Sequence, residues 1–172
     1  GSDIMAGSLV QVATNTVTSG VSYVDIIGTT TDDVYMITLS GINVSTDQDL
    51  FSRVLKSSSP DTTSNYDGAD KTLRNDTTFG NSNYENNDYF YLDYLGDDVS
   101  EMGNMIFYLY NFNSSEYSFL TIESSCVDNS APLLKGRTGG QVHTVASASN
   151  GMRFYVASGT ITAGTFTLFK VV

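Results

Sequence analysis

The chain has 172 residues, with one Cys, one His, no Trp, and 19 Asp+Glu against 8 Lys+Arg, giving a formal charge of -11 and a pI near 4.1. One cysteine excludes an intrachain disulfide framework, and one Cys with one His cannot build a tetrahedral zinc set. The acidity opposes nucleic-acid binding, which depends on Lys and Arg displacing counterions from phosphates.

Gly1 to Ile4, ahead of Met5, reads as the scar of a cleaved expression tag, leaving 5–172 as a single β-sandwich domain. The next stretch, "AGSLVQVATNTVTSG", has neither a basic n-region nor the continuous apolar core of a signal peptide. No later run approaches the length of a membrane span. A soluble protein made inside a cell, without membrane insertion, is expected.

Periodicity is two along nearly all of the chain. Short strands are expected over Leu9 to Val17 and Val21 to Ile27, then the "GTTTDD" turn, then Val34 to Leu39 and Leu50 to Lys56. Residues 57–70 read as a long polar turn, Lys71 to Arg74 as a strand, and 80–88, "GNSNYENND", as a second polar loop. Tyr89 to Leu95, Asn104 to Phe112 and Tyr117 to Ser124 are strands rich in aromatic and β-branched residues. A turn at 128–132, a strand over Gly140 to Val145 and the closing pair "GMRFYVASGTITAGTFTLFKVV" complete the chain. No window carries a helical apolar stripe. The fold class is therefore all-β: an antiparallel, jelly-roll-like β-sandwich of roughly nine strands with almost no helix.

Two strands are apolar on both faces. Met105, Phe107 and Leu109 alternate with Ile106, Tyr108, Tyr110 and Phe112, while Phe166 and Leu168 oppose Phe169 and Val171. A face that does not meet water needs a cover, either Tyr hydroxyls that tolerate solvent or another subunit. The last strand reads as an interior one, so a chain cut at Gly164 should not fold.

Catalytic and metal signals are weak. His143 has no Gly-x-Ser-x-Gly elbow to serve and reads as a strand or loop histidine with a local hydrogen bond. Cys126 has no basic neighbour to activate it and reads as a small, partly buried strand-end residue. Asp32 with Asp33, Asp47 with Asp49, and Asp97 with Asp98 offer oxygens that calcium accepts, but none follows an EF-hand spacing, and paired acids in turns usually form the turn. "GRTGG" at 136–140 lacks the Lys-Ser/Thr of a phosphate loop and reads as a bulge or tight turn. No catalytic residue, cofactor or metal is assigned. "NSNYENNDYFYLDY" is a candidate ligand loop, in which Tyr84, Tyr89 and Tyr91 could stack on sugar; the alternative is a polar loop leading into a strand.

"GNMIFYLYNFNSSEYSFLTIES", the Gly-Gly turn after it and the "SG-x-I-x-x-GTF-x-L" ending resemble a group of small structural proteins of marine tailed phages, seen in cyanophage genomes and ocean metagenomes. "DVYMITLSGI", "NYDGA" and "LRNDT" extend the likeness upstream, whereas "LFKVV" departs from the expected aliphatic-aromatic ending. The resemblance implies a non-enzymatic virion component, capsid-associated or a tail or fibre module, located in the particle. It implies partners among copies of itself, with a trimer favoured, and among other virion proteins, and it leaves a host surface glycan as an alternative partner. Under that reading Tyr108, Tyr110, Phe112, Phe169 and Val171 are the candidate contacts between subunits.

Overall fold

A computed structural model describes residues 7–128 and 133–172, so the expected tag scar and most of the 128–132 turn lie outside the described residues. Thirteen strands run in chain order: β1 Leu9–Val17, β2 Tyr23–Ile27, β3 Tyr35–Val44, β4 Gln48–Lys56, β5 Ser59–Pro60, β6 Tyr66–Arg74, β7 Gly80–Asn87, β8 Phe90–Leu95, β9 Gly103–Tyr110, β10 Ser118–Asp128, β11 Leu133–His143, β12 Gly151–Val156 and β13 Ile161–Val171. Among the described residues there is no helix, and hence none long and apolar enough to cross a membrane.

Among the described residues every strand pairing is antiparallel, and the strands form two sheets. The long sheet has the order β1-β13-β3-β9-β10-β11-β6-β7; the short one has β2-β12-β4, with β8 and β5 side by side along the far edge of β4. Setting aside β5, β6, β7, β10 and β11 leaves two four-stranded sheets, β1-β13-β3-β9 and β2-β12-β4-β8, the order that two interlocked Greek keys produce in a jelly roll. The five remaining strands are insertions. β10 and β11 continue the long sheet past β9, and β6 and β7 continue it further, giving it an overhang on one side.

The core follows from alternation. In β9, Met105, Phe107 and Leu109 point inward at no more than 2% exposure, and the residues between them face out. They meet Phe154 of β12 and Phe166 of β13 in one apolar cluster drawn from both sheets, with the Phe154 and Phe166 ring centres 5.3 Å apart. β13 lies between β1 and β3, as a strand apolar on both faces requires, and bulges around Ala163.

The expected count of roughly nine strands is too low for the thirteen observed, and two of them, β5 and β7, fall in segments that read as polar loops. β7, within the expected 80–88 loop, is made of Gly, Asn, Ser, Glu and one Tyr; it is an edge strand with one face in water, so it needs few apolar residues. β5 is only two residues long. It joins β4 through Ser57 and Ser58, whose φ values of 49° and 63° make the two-residue loop a type I′ turn without Gly or Asn. The "GRTGG" segment is also corrected: β11 runs straight through it. Gly136 and Gly139 are required there because a Cβ would lie 2.5 Å from the Ser124 carbonyl oxygen and 2.4 Å from that of Ala69, respectively.

Candidate functional site

The open face of the long sheet carries the surface features that could engage a partner. Cross-strand register places side chains on this face in rows perpendicular to the strands. One row runs Phe169, Met36, Tyr108, Thr121, Gly140, Ala69, Asn83 from β13 to β7. The row on one side contains Tyr110, Phe119, Val142 and Asp67; the row on the other contains Thr167, Thr38, Ile106, Glu123, Thr138, Lys71 and Asn81. Ile106, Tyr108, Tyr110 and Phe119 are 37–42% exposed, forming an aromatic ribbon along β9 and β10.

The face divides in two. Over β1, β13, β3 and β9 the outward side chains include Thr14, Thr167, Thr38, Ser40, Ile106, Tyr108 and Tyr110, with no charged residue among them. Over β10, β11, β6 and β7 the outward side chains include Glu123, Lys71, Asp67 and Glu85, and the surface is indented where Gly140 and Ala69 present little or no side chain.

Of the five candidate subunit contacts, Tyr108 and Tyr110 lie exposed on the uncharged half, and Phe169 and Val171 are half-buried there. Phe112 is a correction: it is fully buried in the core. β9 ends at Tyr110, and Asn111 takes a left-handed φ of 59°, so the alternation is broken and Phe112 turns inward instead of continuing the line of Tyr108 and Tyr110.

The tyrosine loop is corrected too. Tyr84 packs its ring over Gly68, and its phenolic oxygen accepts from the Tyr91 amide at 3.2 Å. The Tyr91 hydroxyl donates to Asp49 Oδ1 at 2.8 Å while its ring lies 4.2 Å from the Arg137 guanidinium. Burial pushes both phenols up. Tyr89 stacks on Phe51, with ring centres 4.1 Å apart. These three rings are committed to packing within the chain, so they do not form a sugar-stacking loop.

Beneath the overhang lies a buried polar network that no local sequence signal announces, because its members come from four strands. Arg137 on β11 donates through Nη1 to Asp70 on β6, and its Nε lies 3.8 Å from Asp93 Oδ1 on β8. Ser124 on β10 donates to Asp93 Oδ2 at 2.6 Å and accepts from the Arg137 amide at 2.7 Å. Gln141 donates to the Tyr91 carbonyl at 2.6 Å. Burial raises the Asp93 pKa above its ordinary value, against the hydrogen bonds from Ser124 and the Tyr94 amide. Cys126, 1% exposed and within β10, has its thiol pushed up by burial first and then by Asp93, which makes it unreactive.

His143, fully buried on β11, donates from Nε2 to Asp61 Oδ2 at 3.0 Å and stacks against Tyr66. Burial, with Lys56 nearby, outweighs Asp61 and lowers the His143 pKa below its ordinary 6.5. Below pH 6.5 the unfolded chain therefore holds a proton that the folded chain refuses, and stability falls as pH drops through that window. Asp61 is itself held below its ordinary 3.8: burial opposes ionisation, but hydrogen bonds from Thr63 and the charge of His143 prevail, so its own contribution is lost only at more acidic pH. Urea unfolding between pH 7.5 and 5.5 is expected to show this slope in the native chain and a shallower one in His143→Gln. An unchanged slope would refute the assignment.

Of the candidate calcium acids, Asp33 pairs with Lys170 and Asp49 accepts from Tyr91. Asp47 and Asp97 come together with Glu101, their carboxylate oxygens within 4.8 Å of one another. Two of these carboxylates already receive backbone amides, Asp97 N donating to Asp47 and Asp98 N to Glu101, so they secure the β8–β9 loop to the β3–β4 turn.

The fold and this face define the class as an all-β jelly-roll sandwich with a widened sheet. No family model, no curated protein and no solved structure matches the chain.

Proposed function

We propose that this chain is a non-enzymatic structural component of a phage particle that assembles with further copies of itself through the uncharged half of the long sheet's open face. The observation that carries the reading is the absence of charge there. In a chain with 27 acidic and basic residues and a net charge of -11, the outward side chains of β1, β13, β3 and β9 are Thr, Ser, Gln, Asn, aliphatic and aromatic. Copies that repel one another over most of their surface can approach on this face without opposing like charges, burying Ile106, Tyr110 and Phe169. The sequence resemblance to marine tailed-phage structural proteins supplies the setting, a virion, and the neighbours, other particle proteins. Closed symmetric association, with a trimer favoured, is the form expected.

Light scattering coupled to size exclusion tests the reading. A mass several times the 18.6 kDa of one chain is expected, and Tyr110→Lys, placed at an exposed position, should return it to a single chain with its strand signal in circular dichroism intact. A monomer at high concentration in the unaltered chain would overturn the proposal.

A further inference from the structure

Gly140 has no structural reason to be glycine. Its φ lies outside the left-handed region, and a Cβ built on it would meet nothing closer than the Leu120 carbonyl oxygen at 3.9 Å. A glycine inside a strand is destabilising relative to a residue with a side chain. Its neighbours Gly136 and Gly139 answer to close backbone contacts; Gly140 instead keeps a space open, which in a strand marks the close approach of something outside the sheet.

We infer that the trough over Gly140 is a binding site for a neutral saccharide chain. This inference does not rest on the assembly reading: its floor lies on the other half of the face, and of the residues named for it only Tyr108, on β9, is shared with the half assigned to assembly. The floor follows the row Thr121, Gly140, Ala69, Asn83 across β10, β11, β6 and β7, and a second hollow adjoins it at Thr121 and reaches Tyr108 on β9. Three inter-strand steps make the floor about 14 Å long. Its largest hollow holds about 520 Å³, within the range of small-molecule sites.

The walls decide the ligand class. Tyr108 and Phe119, 40% and 42% exposed, offer ring faces on which the apolar face of a pyranose can stack. Asp67, Asn83, Glu85 and Glu123 offer carboxylate and carboxamide groups able to take several hydroxyl hydrogen bonds. Three of those four are acids, and the one lysine in the flanking row, Lys71, is hydrogen-bonded to Asn81 at 2.9 Å. Anionic glycans and phosphates are thereby repelled, and so is a second copy of a chain carrying -11. An extended peptide is also disfavoured, because the floor strands have already spent their backbone donors and acceptors on the ladder and offer no edge to join.

An array of neutral and acidic oligosaccharides, followed by calorimetry on the best neutral binder, tests the site. Binding to at least one neutral oligosaccharide is expected, with amide NMR shifts centred on Thr121, Ala69 and Gly140. Gly140→Leu, which the open space accommodates, should weaken it at least tenfold while leaving the melting temperature no lower and the oligomeric mass unchanged. Ala69→Leu, on the exposed neighbour of the same floor, should do the same and serves if the first variant folds poorly. Silence across the array, tighter binding of acidic glycans, or binding that survives both floor substitutions would overturn the inference. Thr121, Gly140 and Ala69 lie outside β1, β13, β3 and β9, so the amide shifts and the floor substitutions report on the trough separately from self-association.

Discussion

A chain ending at Gly164 is expected to be unfolded, with the strand signal in circular dichroism lost and backbone amide dispersion in NMR collapsed. The cut removes Phe166 and Leu168, both fully buried. Truncating a buried Phe to Ala costs about 3–5 kcal/mol and a buried Leu about 2–5, so the two together reach the whole stability of a typical domain, about 5–15 kcal/mol. Topology adds to the loss. β13 is hydrogen-bonded to β1 on one side and β3 on the other, so its removal leaves β1 without a partner strand and exposes the edge of β3. A chain ending at Phe169 retains both buried side chains and most of the ladder, and should fold. A folded Gly164 truncation, or an unfolded Phe169 one, would show that β13 is not the element on which the long sheet depends.

That terminal strand was legible in the sequence because its apolar residues fall on both faces within six positions, which only an interior strand can use. β12 was legible for the related reason that alternation of apolar and polar residues fixes both strand and inward face. What escaped was what alternation cannot encode. β7 hides because an edge strand over water can be built from Asn and Ser. The direction of Phe112 depends on one left-handed residue, Asn111, which restarts the alternation after Tyr110. Tyr84 and Tyr91 looked like loop aromatics because their partners, Gly68 and Asp49, are far away in sequence. The trough at Gly140 was masked by a dipeptide that reads as a turn, and only the contrast between Gly139, which cannot bear a Cβ, and Gly140, which can, separates packing from vacancy.

Replacing Arg137 with Leu should cost about 3–5 kcal/mol, the loss expected when one partner of a buried ion group is removed and the other is left uncompensated. Arg137 is 9% exposed and faces two acids: Asp70, whose side chain is fully buried, and Asp93, 2% exposed. Its guanidinium also covers the Tyr91 ring. Two acids share one cation, and among the described residues Asp70 Oδ2 and Gln141 Oε1 have no hydrogen-bond partner. The network is held mainly by charge, with little hydrogen-bond redundancy to fall back on. Lys in place of Arg keeps the charge but not the planar fork, and should recover part of the loss.

The pH dependence of that variant separates loss of charge from loss of packing. Asp93 already lies above its ordinary 3.8, and removing the nearby cation raises it further. The folded variant then binds a proton that the unfolded chain releases, so its stability should rise as pH falls toward the folded-state pKa of Asp93 and on toward 3.8. The trend opposes the one His143 imposes on the native chain below 6.5. Urea unfolding of Arg137→Leu at pH 7.5 and 4.0 should therefore show a difference from the native chain that narrows at the lower pH. A gap that stays constant across this range would mean that Arg137 acts through its packing on Tyr91 and not through the acids it faces.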